Sequence, residues 1–168
     1  MFLFKKRESR RRKTIERLYG AIVAQARLPL FYRSFGVPDT VEGRFDFLVL
    51  HIHLVNERLA AAGEAGRALG QELLDHFFEE MDAGLREIGI GDLSVPKKMR
   101  TLAEAYLGRS ALYGPAIAKG DKTALAAAIA RNILGREDAE EAVPLATYAL
   151  ETAQALNKHS LEQFLAGS

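Results

Sequence analysis

No cysteine occurs among the 168 residues, which excludes disulfides, thiolate zinc sites and thiol catalysis together. That fits a reducing compartment. Nor does any segment reach the roughly 18 uninterrupted apolar residues of a transmembrane helix. No G-x-x-x-x-G-K-[ST] motif is present, so nucleotide-driven work has no phosphate cradle. "GIGDLS" has Gly89 and Gly91 but Ser94 where a dinucleotide fingerprint needs its third glycine, and it follows a helical pattern rather than a strand. "GRSAL", beginning at Gly108, lacks the final glycine of a nucleophile elbow. No enzyme site is legible, and no cofactor is expected.

What is present is uneven in charge. Residues 1–17 hold eight Lys/Arg against two Glu, leaving fifteen basic and twenty acidic residues in the remainder. The head opens on Phe2, Leu3 and Phe4 and continues with Lys5, Lys6, Arg7, Arg10, Arg11, Arg12 and Lys13. Its apolar group is far shorter than the roughly 7 to 15 residues of a secretory signal, so cleaved export is not expected. A basic stretch with an apolar tip suits an anionic lipid surface or ribosomal RNA, and both attractions weaken with salt. The plain alternative is a solvated, disordered tail.

Beyond the head, apolar positions recur at intervals of three and four, the helical period, and no strand pattern emerges. The expected fold is all-α: a compact single-domain bundle of about six to seven helices over residues 14–168, with residues 1–13 as a basic N-terminal tail. The spacing predicts helices over about 14–27, 40–61, 68–88, 95–107, 121–134 and 144–158. Pro29 stops the first, and "LPLFYRSFGVPDT" reads as an irregular segment carrying Phe31, Tyr32 and Phe35. Asp39 with Glu42 suggests a capping box for the second helix, Gly63 and Gly66 its separation from the third, and Pro115 a further break. The second helix is apolar all round from Phe47 to Leu54, the mark of a central helix.

His51 and His53 are two residues apart, about 200° of helical rotation, so they point to opposite sides and cannot share a metal. They read as two separately satisfied histidines, the alternative being a single haem or metal ligand. "ELLDHFFEEMD" carries Glu72, Asp75, His76, Glu79, Glu80 and Asp82, but lacks the paired Glu-x-x-His of a di-iron bundle and reads as a solvated acidic face. Arg44 stands in the first turns of the second helix, where the helix dipole disfavours a cation. It is therefore expected to pair with a carboxylate of a neighbouring helix or to serve recognition. Asp46, two residues on, is badly placed to pair with it.

Three stretches together suggest a family: "IERLYGAIVAQARLPLFYRSFGVPDTVEGRFDFLVLHIHLV", "FFEEMDAGLREIGIGDLSVPKKMRTLAEAYLGRSALY" and "ARNILG". In order and spacing they resemble the ubiquinol-cytochrome c chaperones of bacteria and mitochondria. Gln25-Ala26-Arg27, Asp39-Thr40, Gly43-Arg44-Phe45-Asp46, Arg86-Glu87, Gly89 and Gly91-Asp92-Leu93 carry most of the likeness. The resemblance implies a non-enzymatic assembly factor for respiratory complex III that holds newly made cytochrome b near ribosome and membrane. It implies a cytoplasmic protein peripheral to the inner face of the membrane, with a small partner protein or a second copy as further partners and no DNA. On that reading Phe31, Tyr32, Phe35, Arg44 and Asp46 are the candidate client contacts, and the head is the membrane or ribosome contact. Two other classes remain: a ribosome- or RNA-binding helical module, and a helical protein that binds haem or a small molecule through a histidine or an interhelical pocket.

Overall fold

The computed structural model describes residues 1–166, and its regular structure is helical throughout. The centre is α3, Val41–Ala60, whose residues from Phe47 to Val55 are all buried. It packs against α1 (Phe2–Ala26), α4 (Glu64–Glu87), α5 (Val95–Ala118) and α7 (Val143–Asn157), so every face meets another helix. This is the physical content of a segment apolar all round. Each fully buried Leu, Ile, Val or Phe contributes roughly 1.5–3 kcal/mol, and truncating Leu50 to Ala should cost about 2–5 kcal/mol.

The start of α3 departs from expectation by one residue. Thr40, not Asp39, is the N-cap: its Oγ1 accepts the Gly43 N–H at 3.0 Å. Asp39 is thereby free to turn to Arg44. Gly43 itself is buried against the backbone of Pro38, where a Cβ would collide.

Of the two glycines expected to separate the helices, Gly63 and Gly66, only the first does so; Gly66 lies inside α4. α4 begins at Glu64 rather than near 68, and Gly66 and Gly70 fall on the side facing α3. A Cβ at Gly66 would strike the carbonyl of Leu59, and one at Gly70 the side-chain oxygen of Asn56. The glycines thus set the close approach of the two helices, and the turn is made by Gly63 alone, at φ 85°.

α5 is longer than expected. It runs unbroken to Ala118 and carries Pro115 in its last turn, where few residues remain to be disturbed. α6, Lys122–Ile129, is capped by Asp121, whose Oδ1 accepts the Ala124 N–H at 3.0 Å, and widens into a π turn over Ala130–Leu134. A 3-10 turn, Ala139–Ala142, leads into α7. Beyond the last helix expected from the spacing lies a short further one, α8, Leu161–Ala166, which touches α1. Pro29 opens a short helix, α2 (Pro29–Arg33), in the segment expected to be irregular.

The first helix also begins earlier than expected, at Phe2 rather than near residue 14. Its core-facing stripe starts only at Ile15 and continues through Tyr19, Ile22 and Ala26. No helix among the described residues is long and apolar enough to cross a membrane.

Candidate functional site

Every residue from Met1 to Lys13 is exposed, and Phe2, Leu3 and Phe4 present 75–81% of their surface. The head is therefore a projecting helix with a bare apolar tip and a dense positive charge. Arg11 ties it to α4 through Glu72 at 2.6 Å, and Arg12 pairs with Glu16 one turn on, at 3.1 Å. Lys5, Lys6, Arg7, Arg10 and Lys13 form no ion pair among the described residues.

The aromatic segment divides. Phe31 is buried, its ring 4.7 Å from that of Tyr148, 4.8 Å from Phe47 and 5.5 Å from Phe35. It is a core residue in this conformation and offers no surface to a client. Tyr32 and Phe35 are half-buried on the edge of the same core, and the Tyr32 hydroxyl donates to the Ala26 carbonyl at 2.9 Å. Burial raises the Tyr32 pKa, so the hydroxyl stays protonated. What the segment does present is Leu28, Leu30 and, at the start of α3, Val41, the last 73% exposed.

Arg44 finds its carboxylate close by rather than on a neighbouring helix. Its Nη2 lies 2.6 Å from Asp39 Oδ1, and both side chains are more than half exposed. Asp46 pairs with a residue that sequence reasoning missed, Arg109 of α5, at 2.8 Å. That pair is largely enclosed, and the Arg109 guanidinium also stands 5.9 Å over the Phe45 ring. Burial pushes the Asp46 carboxyl up to about 6, more than the Arg109 charge pulls it down. Arg109 Nε and Nη1 have no hydrogen-bond partner. Sixty-three residues separate the pair, although each belongs to a stretch that carried the family resemblance.

The histidines do point apart, as expected, but only one is satisfied. The His51 Nδ1–H donates to the Phe47 carbonyl at 2.8 Å, which leaves Nε2 to accept from the Tyr148 hydroxyl at 2.7 Å. His53 is equally buried, yet its Nε2 has no partner. Burial lowers both imidazoles to about 4. On the acidic face of α4, His76 lies 3.9 Å from Glu79 and from Glu80 and meets the ring of Tyr19 edge-on. No three His, Asp or Glu side chains among the described residues are placed to hold a metal ion together.

The turn between α4 and α5 is the other surface that hydrophobic patterning missed. Arg86 grips Asp82 one turn back at 2.7 Å and also Asp92 across the turn. The bracket holds a tip on which Ile88 is 68% and Leu93 98% exposed. Both apolar side chains stand in water at the tip of a turn held by two ion pairs. "GIGDLS" is thus a shaped turn rather than a nucleotide fingerprint.

Comparison with known proteins agrees with this architecture. The chain superposes on the crystal structure of the Cbp3 homolog from Brucella abortus with a TM-score of 0.88 and 42% identity, covering 99% of this chain and 92% of that one. It is 25% identical over 121 residues to the Xenopus laevis protein named ubiquinol-cytochrome-c reductase complex assembly factor 1. That alignment takes in 72% of this chain and 60% of the frog protein, so the chain spans less than two thirds of that relative. The family model for ubiquinol-cytochrome C chaperones matches residues 33–168, which contain α3, the Asp46–Arg109 pair and the braced turn, and the chain belongs to that family.

Proposed function

We propose that this protein is a non-enzymatic assembly chaperone that binds newly made cytochrome b and supports the building of ubiquinol-cytochrome c reductase at the membrane. The observation that carries the reading is the family match running from residue 33 to 168. The architecture is consistent with it: the core is closed around α3, and the unusual features lie on the surface, where a holding function needs them.

Two surfaces divide the work. The projecting half of α1 is the tether: Phe2, Leu3 and Phe4 enter the headgroup region shallowly, while Lys5, Lys6, Arg7, Arg10, Arg12 and Lys13 lie among anionic headgroups. Each basic residue near such a surface contributes about 1 kcal/mol at low salt. The client surface is built from exposed groups: Ile88 and Leu93 on the braced turn, and Leu30, Val41 and Arg44 around the entry to α3. Apolar side chains of this kind match an unassembled membrane segment, and Arg44 supplies a planar fork for a carboxylate. Tyr32, Phe35 and Asp46 support this surface from beneath.

The test is capture. A tagged full-length chain in its own cells, with newly made proteins labelled briefly, should bring down cytochrome b, and Leu93→Asp should reduce the yield several-fold without altering the melting temperature. Capture of cytochrome b no better than that of unrelated membrane proteins overturns the reading. If ribosomal RNA comes down in place of lipid and is released by salt, the tether belongs to the ribosome.

A further inference from the structure

The outward face of α5 differs from that of its neighbour α4. Between Glu104 and Lys119 the sequence has one charged residue, Arg109, and that side chain turns inward to Asp46. What faces out is Leu107, Gly108, Ala111, Leu112 and Pro115, with Leu107 65% and Leu112 46% exposed. These positions recur at intervals of three and four, so they share one side of the helix. The strip between Glu104 and Lys119 therefore runs for about four turns without an outward charge. The exterior of α4, by contrast, carries Asp75, Glu79 and Glu80.

Two exposed leucines on an uncharged strip leave apolar area in water, and pairing with a second apolar strip removes it. The ends of the strip say what the second one must carry. Glu104 stands at one end and Lys119 at the other, both exposed and neither in an ion pair among the described residues. The two are equally far along the chain from the midpoint between Ala111 and Leu112, and so are Gly108 and Pro115. A two-fold axis through that midpoint sets an antiparallel copy of α5 against the first, with Glu104 opposite Lys119 of the other copy at both ends. Gly108 faces open space and Ala111 is small, so the two helices can approach closely between the leucines.

We propose that this strip is the interface of a homodimer in which two α5 helices cross antiparallel about that axis. Charge selects the occupant. The acid and the base that flank the apolar strip complement themselves when the order is reversed, whereas a parallel copy would set Glu104 against Glu104 and Lys119 against Lys119. A single pair of helices buries less than the roughly 1,200 Å² of a stable complex, so the dimer is weak and concentration-dependent. The strip is distinct from the residues assigned to the tether and the client surface, and the dimer does not rest on the chaperone reading.

The experiment is sedimentation equilibrium of the full chain at low salt, from about 10 to 500 μM, where the wild type should pass from monomer towards dimer. Ala111→Glu sets like charges at the axis and should leave the chain monomeric, yet it should melt with the wild type because the position is exposed. Glu104→Lys and Lys119→Glu each set like charges at both ends and should weaken association about tenfold. Mixed in equal amounts, these two variants oppose unlike charges again and should associate within about threefold of the wild type. Because the chain has no cysteine, Ala111→Cys gives a direct readout of the register. Under mild oxidation it should yield a disulfide-linked dimer, and Gly20→Cys, also exposed but on α1, should not. A chain that stays monomeric throughout, a dimer indifferent to the charge variants, or equal cross-linking from both cysteine positions would overturn the proposal. If Ala111→Cys in cells cross-links to a different protein and never to its own copy, that protein covers the strip and the homodimer is excluded.

Discussion

Asp46 of α3 and Arg109 of α5 meet at 2.8 Å, and the pair joins two stretches of sequence that are far apart in the chain. The contact is unequal. Arg109 has two further guanidinium nitrogens without partners, whereas Asp46 can take up a proton if its counter-charge is removed. Losing the carboxylate therefore leaves an enclosed cation, and losing the arginine leaves a group able to become neutral.

The first prediction follows from that asymmetry. Asp46→Ala should destabilise by about 2–3 kcal/mol, somewhat less than a fully buried pair because both side chains keep some exposure. In a chain of this length the melting temperature should fall by about 5–10 °C. Arg109→Met retains apolar bulk beside Phe45 and should cost about half as much. Equal losses from the two variants, measured by thermal denaturation, would show that the orphaned cation is not the decisive term.

The melting temperature should also depend on pH in a way the buried groups dictate. His51 and His53 titrate near 4 in the folded chain against 6.5 for a free imidazole, so the unfolded chain binds more protons between those values. Their stabilisation is complete above 6.5 and is lost as pH falls towards 4. Asp46 acts oppositely: its folded value near 6 exceeds 3.8, so its contribution is present at low pH and lost as pH rises through 6. Two imidazoles outweigh one carboxyl, and the net expectation is lower melting on acidification from 6.5 to 4. His53→Gln should make that slope shallower, and Asp46→Asn should make it steeper.

Tyr148 holds a test of the satisfied histidine. Its hydroxyl donates to His51 Nε2 at 2.7 Å, and its ring packs on Phe31. Tyr148→Phe keeps the ring and leaves a buried acceptor unpaired, which should cost about 1–3 kcal/mol. A variant that melts with the wild type would mean that another donor reaches His51.

The central helix was legible because nothing polar except histidine interrupts its middle, and the all-helical architecture follows from the same periodicity. What was illegible depended on distance or on close approach. The pairing of Asp46 with Arg109 spans sixty-three residues, and no local pattern announces it. Phe31 reads as a surface aromatic in a punctuated segment because its cover, Tyr148, arrives from α7. Gly66 reads as a break, since glycine lowers helix propensity, yet it serves helix packing where the start of α4 nearly touches the backbone of α3 at Leu59. Pro115 reads as a stop, but a helix that ends one turn later forfeits little by containing it.

Gly43 turns that lesson into a measurement. Ala is the stronger helix former by about 1 kcal/mol, so propensity alone expects Gly43→Ala to stabilise α3. The Cβ, however, would collide with the Pro38 backbone, which cannot swing aside as a flexible side chain would. The expected result is a loss of about 1–3 kcal/mol, whereas Gly20→Ala, on a stretch of α1 with open space around it, should be neutral or stabilising. Equal behaviour of the two variants in a denaturant titration would refute the packing argument.

The last prediction concerns the head, whose helix lacks a buried stripe before Ile15. Removing residues 1–12 deletes no core side chain, and its main connection to the body is the Arg11–Glu72 pair, with both partners about two-fifths exposed. Such a pair contributes at most about 1 kcal/mol. The truncated chain should therefore fold and melt within about 3 °C of the full one. It loses, however, the apolar tip and most of the basic residues that give attraction to an anionic surface. Flotation with vesicles containing phosphatidylglycerol should recover the full chain at low salt and not the truncated one, and raising the salt should release the full chain as its charge contacts are screened. Replacing Phe2, Leu3 and Phe4 by serine separates the two contributions: the charges remain, so binding should weaken and become more sensitive to salt. If the truncated chain floats as well as the full one, α1 is not the tether, and the exposed residues of the α4–α5 turn are the next surface to test.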